Sequence, residues 1–266
     1  GGRLFHLRES RQNSPGLSVV PLNATLGVPG LPQSGTGQTA LLTGTNAPRF
    51  IGRHFGPYPY STLKPVIIEQ NIFRLLQERN RPALYANAFP QRYFDYIASR
   101  RARTPAITLS WLSSGNALND SQALAAGRAL SADVTNERWP KLGYPDMRPI
   151  SPHDAGRRLA RLAGEHAFTL YEYYFTDHAG HSQSMEEAVG VLETLDAMLG
   201  GILNAFDHQR MLLLITSDHG NMEDLSVKTH TRNPVPLLAF GEGHALMTRS
   251  AKNLTHIAPL LVNMMS

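Results

Sequence analysis

The chain has 266 residues, with 25 basic and 21 acidic side chains and a net charge of +4. Hydrophobic residues at 42% and charged residues at 17% fit a packed core and exclude a disordered chain. The absence of cysteine excludes disulfides, thiolate metal sites and cysteine nucleophiles.

The length suits one α/β domain with a small inserted cap. The charge surplus is spread along the chain, and its densest run, Arg100-Arg101-Ala102-Arg103, is too short for a nucleic-acid face. No uninterrupted apolar run approaches the roughly 20 residues of a membrane span, and no signal peptide is legible. The default expectation is a cytoplasmic protein with neither a nucleic-acid nor a membrane partner.

Taken in order, residues 69–79 predict a helix and Ala83-Leu84-Tyr85-Ala86 a short strand. Between 101 and 150 the periodicity breaks down among prolines, glycines and polar residues, and this stretch is expected to be the cap. The core is then 1–100 and 151–266. Residues 153–163 predict a helix, and the aromatic run 168–175 a buried strand. Residues 184–206 predict a long helix, with Ser184 and Glu187 as a capping box. The apolar run 211–216 predicts a parallel strand covered on both faces, 235–240 another strand, and 254–264 a closing helix. This order predicts a mostly parallel sheet flanked by helices on both faces, with its site at the carboxyl ends of the strands.

Three polar motifs fall at such ends. Thr176-Asp177-His178-Ala179-Gly180-His181 places Asp177 and His181 four apart, on one face if the chain turns helical there. Ser217-Asp218-His219-Gly220-Asn221 follows the apolar run, and Thr229-His230-Thr231-Arg232-Asn233-Pro234 leads into the next strand. Each alone reads equally as a cap, a turn or a surface histidine. Together they predict a divalent-metal centre, Zn²⁺ or Mn²⁺ by donor type. A fourth segment, Leu31-Pro32-Gln33-Ser34-Gly35-Thr36-Gly37, opens a helix whose first turn suits an anion. Ser34 stands at its mouth, and a hydroxyl needs a metal or a base to attack at neutral pH.

Residues 215–223 with His230-Thr231-Arg232-Asn233-Pro234-Val235-Pro236 resemble the carboxyl-terminal signature of the cofactor-independent phosphoglycerate mutases. Ser34 to Thr43-Gly44 resembles the nucleophile helix of the wider alkaline-phosphatase superfamily. The middle segment is much shorter than the domain inserted in the true mutases. The resemblance implies an alkaline-phosphatase-like fold and a small phosphorylated substrate. It implies two divalent metals: one held by Asp177, His181 and His230, the other by Asp218 and His219 with Ser34 touching it. Ser34 would be phosphorylated transiently, with phosphomonoester hydrolysis favoured over phosphomutase transfer. Thr36, Asn46, Arg53 and His54 are weaker candidates for lining the substrate pocket.

The family also has a metal-binding Asp upstream of the nucleophile, whereas no Asp precedes Ser34 here and the only acid there is Glu9. The expectation is that the first strand and its Asp are missing. The alternative reading is a truncated, non-catalytic metal- or ligand-binding relative.

Overall fold

The structure, a computed structural model, describes residues 12–14, 16–99 and 102–265. Glu9, and Arg100 and Arg101 of the basic run, lie outside the described residues.

The strands are β1 (Gln12–Ser14), β2 (Leu17–Leu22), β3 (Ala83–Tyr85), β4 (Phe168–Leu170), β5 (Leu212–Thr216) and β6 (Val235–Gly241). The α-helices are α1 (Ser34–Thr43), α2 (Ala47–Ile51), α3 (Lys64–Gln70), α4 (Ile72–Gln77), α5 (Gln91–Ala98), α6 (Ala106–Ser113), α7 (Ser121–Ala125), α8 (Pro152–Gly164), α9 (Phe175–Ser182), α10 (Met185–Ala205), α11 (His244–Ser250) and α12 (Ile257–Met264).

The fold is α/β, but the expectation of a mostly parallel sheet is corrected. The larger sheet has the order β1-β2-β6-β5 and every pairing in it is antiparallel; the parallel pair is β3-β4. A parallel partner for β5 needs a crossover helix. Residues 217–234 contain none, so the chain returns from β5 directly into β6 running the other way. Nor, among the described residues, is β5 fully covered on both faces. All five of its residues are half-buried, as are the three of β4. A continuous apolar run reports composition, and burial depends on which elements pack on it.

Helix predictions held where caps are strong. Ser184 accepts from the Glu187 amide at the start of α10, and Ser151 from the Asp154 amide at the start of α8. The single helix expected over 69–79 is two. Asn71 takes an extended conformation (ψ 153°) and caps α4 through the Arg74 amide, while its Nδ2 donates to the Ile67 carbonyl of α3 at 2.8 Å. The aromatic run is a strand for three residues only, because α9 begins at Phe175.

One core gathers Leu42 of α1, Phe73 of α4, Tyr85 of β3, Trp111 of α6 and Val262 of α12. A second packs Leu22, Leu237, Ala40 and Met247 between the sheet, α1 and α11. Full burial of side chains such as Leu22 and Leu237 stabilises by about 1.5–3 kcal/mol each. Helix α1 therefore belongs to both cores and is fixed from two sides. A third core lies between β3, α8 and α10 and takes in Leu213 of β5. The 101–150 stretch supplies α6 to the first core and, at 131–139, a loop beside α9. Helix α10 is long and apolar enough, by length and composition, to cross a membrane, and its Gly201 is seated on the His153 backbone of α8.

Candidate metal centre and nucleophile

Three segments converge at the start of α1. Close approach is permitted by Gly37: a β-carbon there would lie 2.4 Å from the Asp218 carbonyl oxygen. With α1 pressed onto the 218–219 turn, Ser34 Oγ and His219 Nε2 share a hydrogen bond of 2.9 Å.

The helical reading of 176–181 holds. Asp177 and His181 lie one turn apart on α9, with His181 Nε2 at 3.4 Å from Asp177 Oδ1. His230 Nε2 is 3.5 Å from the same oxygen and 3.2 Å from His181 Nε2. The donor atoms of Asp177, His181 and His230 all fall within 4.8 Å of one another. The outer nitrogens of the two rings are held by backbone carbonyls. His181 Nδ1 donates to the Lys228 carbonyl at 2.8 Å, and His230 Nδ1 to the Pro32 carbonyl at 2.7 Å. With each Nδ1 donating to a carbonyl, both Nε2 atoms face Asp177, and in the neutral rings their lone pairs would take the orientation a metal-binding imidazole needs.

Beside this triad, the His219 ring stacks on His230 with centroids 3.7 Å apart. His219 Nε2 is 3.7 Å from Asp218 Oδ2 and 4.0 Å from Asp177 Oδ1. Asp218 Oδ2 is buried without a hydrogen-bond partner. A buried carboxylate oxygen lacking a donor is costly unless a cation faces it. The donor set thus fits a divalent ion held by Asp177, His181 and His230, with Ser34, Asp218 and His219 adjoining it.

Electrostatics agree. Burial opposes ionisation of Asp177, but hydrogen bonds from His230 and Asn221, with His219 and His181 close by, outweigh it and hold the carboxyl well below its usual range. Burial pulls His230 down, yet Asp177 and the Pro32 carbonyl raise it on balance.

Residues to which the sequence reading gave no role hold this geometry. Asn221 Nδ2 donates to Asp177 Oδ1 at 2.6 Å. Glu223 accepts from the Asn221 amide at 2.6 Å, from Thr231 Oγ1, and from Asn233 Nδ2 at 3.2 Å, tying the Asp218 and His230 loops together. Glu172 lies behind the site. Tyr85 Oη donates to it at 2.9 Å and Gln38 Nε2 at 3.3 Å, while Asn87 clamps its backbone. The residue keeps some accessible surface, but its carboxyl is enclosed by protein. That burial, helped by the nearby Asp218 charge, pushes it up to about 7. A lone acid in the run Tyr171-Glu172-Tyr173 was the available signal.

The weaker candidates divide. Thr36 is fully buried and donates to the Gln33 carbonyl at 3.0 Å, so it shapes the first turn of α1. Asn46 caps α2 through the Arg49 amide and donates to the Leu26 carbonyl. Arg53 and His54 line a cleft of about 430 Å³ with Gly30, Gln33, Phe55 and Gly56, next to Ser34. Arg53 lies over the Phe55 and Tyr60 rings at 5.6 and 5.4 Å. His54 is lowered by burial, and Arg232 adds to the lowering.

Residues 151–266, which carry all five Asp and His donors, match the model of the Metalloenzyme superfamily. More particularly, the chain is similar to 2,3-bisphosphoglycerate-independent phosphoglycerate mutases. The match is 30% identical over 136 residues with that of Rhodopseudomonas palustris, covering 47% of this chain and 26% of the relative. It is 32% identical over 136 residues with that of an Enterobacter species, with the same shares. The chain thus spans about a quarter of the length of these relatives. Among solved structures, phosphoglycerate mutase of Leishmania mexicana aligns at 13% identity and a TM-score of 0.45, over 74% of this chain and 37% of that one.

Proposed function

We propose that the chain catalyses metal-dependent phosphoryl transfer through Ser34, with hydrolysis of a phosphomonoester as the outcome. The observation that carries the reading is the convergence of Asp177, His181 and His230 on one point beside the Ser34–His219 hydrogen bond. The similarity to phosphoglycerate mutases supports a small phosphorylated substrate.

Two divalent ions, Zn²⁺ or Mn²⁺, suit the donors: Asp177, His181 and His230 for one, Asp218, His219 and Ser34 for the other. When bound, such ions polarise a phosphoryl oxygen and favour the alkoxide form of a hydroxyl. The protein's own groups do the rest. Helix α1 has no side-chain cap at Gln33, and with the Thr36 amide donating to the Phe55 carbonyl it is the Ser34 and Gly35 amides of the first turn that suit an anion. Ser34 Oγ forms the new P–O bond as the ester P–O bond breaks, and the leaving alcohol takes up a proton. Water then attacks the phosphoserine and restores Ser34. Arg53 and His54, on the adjoining cleft, are proposed to contact the remainder of the substrate.

Hydrolysis is favoured because the site is open. The side chains of Asp177 and His181 keep 32% and 40% of their surface, whereas a mutase must keep water from its phosphoenzyme.

The test is turnover of p-nitrophenyl phosphate with Mn²⁺ or Zn²⁺, combined with mass spectrometry of acid-quenched protein. Wild type is expected to release phosphate and to trap one phosphoryl group on Ser34. Ser34→Ala is expected to lose both while retaining metal. Unchanged turnover in Ser34→Ala removes the nucleophile assignment, and a shifted phosphate without release, on a phosphorylated polyol acid, removes the hydrolase assignment.

A further inference from the structure

The loop 131–139 is bent in a way its sequence resists. Val134 and Asn136 both have positive φ, 66° and 65°, and both are buried. A β-branched residue in that region is an outlier that persists only where its surroundings over-determine it. Here they do. Asp133 accepts from the Asn136 amide at 3.1 Å, from the Arg138 amide at 2.8 Å, and from Ser131 Oγ. Trp139 Nε1 donates to Ser131 Oγ, Tyr171 Oη to the Ser131 carbonyl, and Asn136 Nδ2 to the Arg148 carbonyl.

The product of this bend is the position of Arg138. Its guanidinium stands 4.2 Å from the centre of the Phe175 ring, at the first residue of α9. Arg138 is solvent-exposed and, among the described residues, pairs with no carboxylate. The face of α9 that holds Asp177 and His181 also carries Tyr174 and His178, at the helical spacing i, i+3, i+4, i+7. Both are exposed, and Tyr174 stacks on Phe175 at 4.8 Å. The Arg138 charge is felt along this surface, opposing the rise that burial causes in the Tyr173 and Tyr174 phenols. A guanidinium laid on an aromatic face is pre-organised and keeps its N–H edge for a planar anion.

We propose that Arg138 is a specificity-determining residue that holds, at the rim of the metal-ligand face of α9, an anionic group on the part of the substrate that is not transferred. The proposal rests on the phosphoryl-transfer reading for the identity of the site. It adds a recognition element from the middle segment, which the sequence reading expected to be a cap.

The test is calorimetric titration, in Mn²⁺, of wild type, Arg138→Ala and Arg138→Lys with non-hydrolysable phosphonates. The series is butylphosphonate against phosphonoacetate, phosphonopropionate and phosphonobutyrate, whose carboxylates stand at increasing reach. At least one carboxylated ligand is expected to bind wild type about tenfold more tightly than butylphosphonate. That advantage vanishes in Arg138→Ala and returns in part in Arg138→Lys, with butylphosphonate binding and the thermal midpoint unchanged. Equal binding of all ligands by wild type, an advantage that survives in Arg138→Ala, or no phosphonate binding at all overturns the proposal. An Arg138-dependent advantage in a protein without turnover leaves this inference standing and fells the catalytic one. Turnover without that advantage does the reverse.

Discussion

Glu172 shows how one buried group reports on its surroundings. Its carboxyl is pushed up from 4.5 to about 7, so the fold favours the protonated form. A group raised in this way contributes stability that is fully present below its unfolded value and is lost as pH rises through its folded value. The metal-free protein is therefore expected to lose stability between about pH 4.5 and pH 7. The ceiling is about 3 kcal/mol, and the effect is smaller in practice because Glu172 keeps some contact with solvent. Glu172→Gln keeps the shape without the ionisation. Urea unfolding at several pH values is expected to show a flatter profile for the variant, which gains on wild type above pH 7. Parallel profiles would mean that the carboxyl is not enclosed as described.

At the same scale, the sequence made Ser34, Asp177, His181, Asp218, His219 and His230 legible, because each sits in a motif whose spacing carries geometry. Glu172 was not legible, since enclosure by Tyr85, Gln38 and Asn87 depends on residues 85 to 134 positions away. Thr36 illustrates the opposite error. A hydroxyl two residues from the nucleophile invites a role in binding, yet the helical turn rotates it inward onto the Gln33 carbonyl.

Among elements, caps and periodicity gave α8 and α10, the short helices α5, α6 and α7 went unread, and pairing direction stayed hidden. Val235 to Gly241 alternates buried and half-buried residues as a strand should, but nothing in that alternation says which way its neighbours run. Helix α10 offers a sharper test of element-level reasoning, because its glycines differ in context. A β-carbon at Gly201 would lie 1.9 Å from the His153 carbonyl oxygen of α8, and one at Gly156 of α8 equally close to the Met198 carbonyl oxygen of α10. These two helices pack at backbone distance only because both positions are glycine. Gly190, in the same helix, has nothing within 4 Å of the added carbon. Gly190→Ala is expected to stabilise by about 0.5–1 kcal/mol through helix propensity. Gly201→Ala is expected to destabilise by about 1–3 kcal/mol, because the helices must separate. Denaturant midpoints measure both, and a shift of the same sign in the two variants would contradict the α8–α10 contact.

Across the whole molecule, the candidate site joins parts that are far apart in sequence and rest on different cores. Ser34 comes with α1, Asp177 and His181 with α9, and Asp218, His219 and His230 with the loop from β5 to β6. An ion bound among them links these parts only in the folded state, so binding adds directly to stability. At roughly one hundred times its dissociation constant the gain is about 2.7 kcal/mol. For a chain of this size that corresponds to a midpoint about 5–10 °C higher. Asn221 decides whether the gain comes from this site, because it orients Asp177 without itself being one of the proposed ligands. Loss of such a partner weakens metal binding about 10–100-fold. The expected result is that Mn²⁺ or Zn²⁺ raises the melting midpoint of wild type, and that a chelator reverses the rise. Asn221→Ala, at the same metal concentration, is expected to show a rise smaller by about 1.3–2.3 kcal/mol in stability terms. A rise of equal size in both proteins would place the bound ion elsewhere, and no rise in either would leave the Asp177, His181 and His230 cluster without its ion.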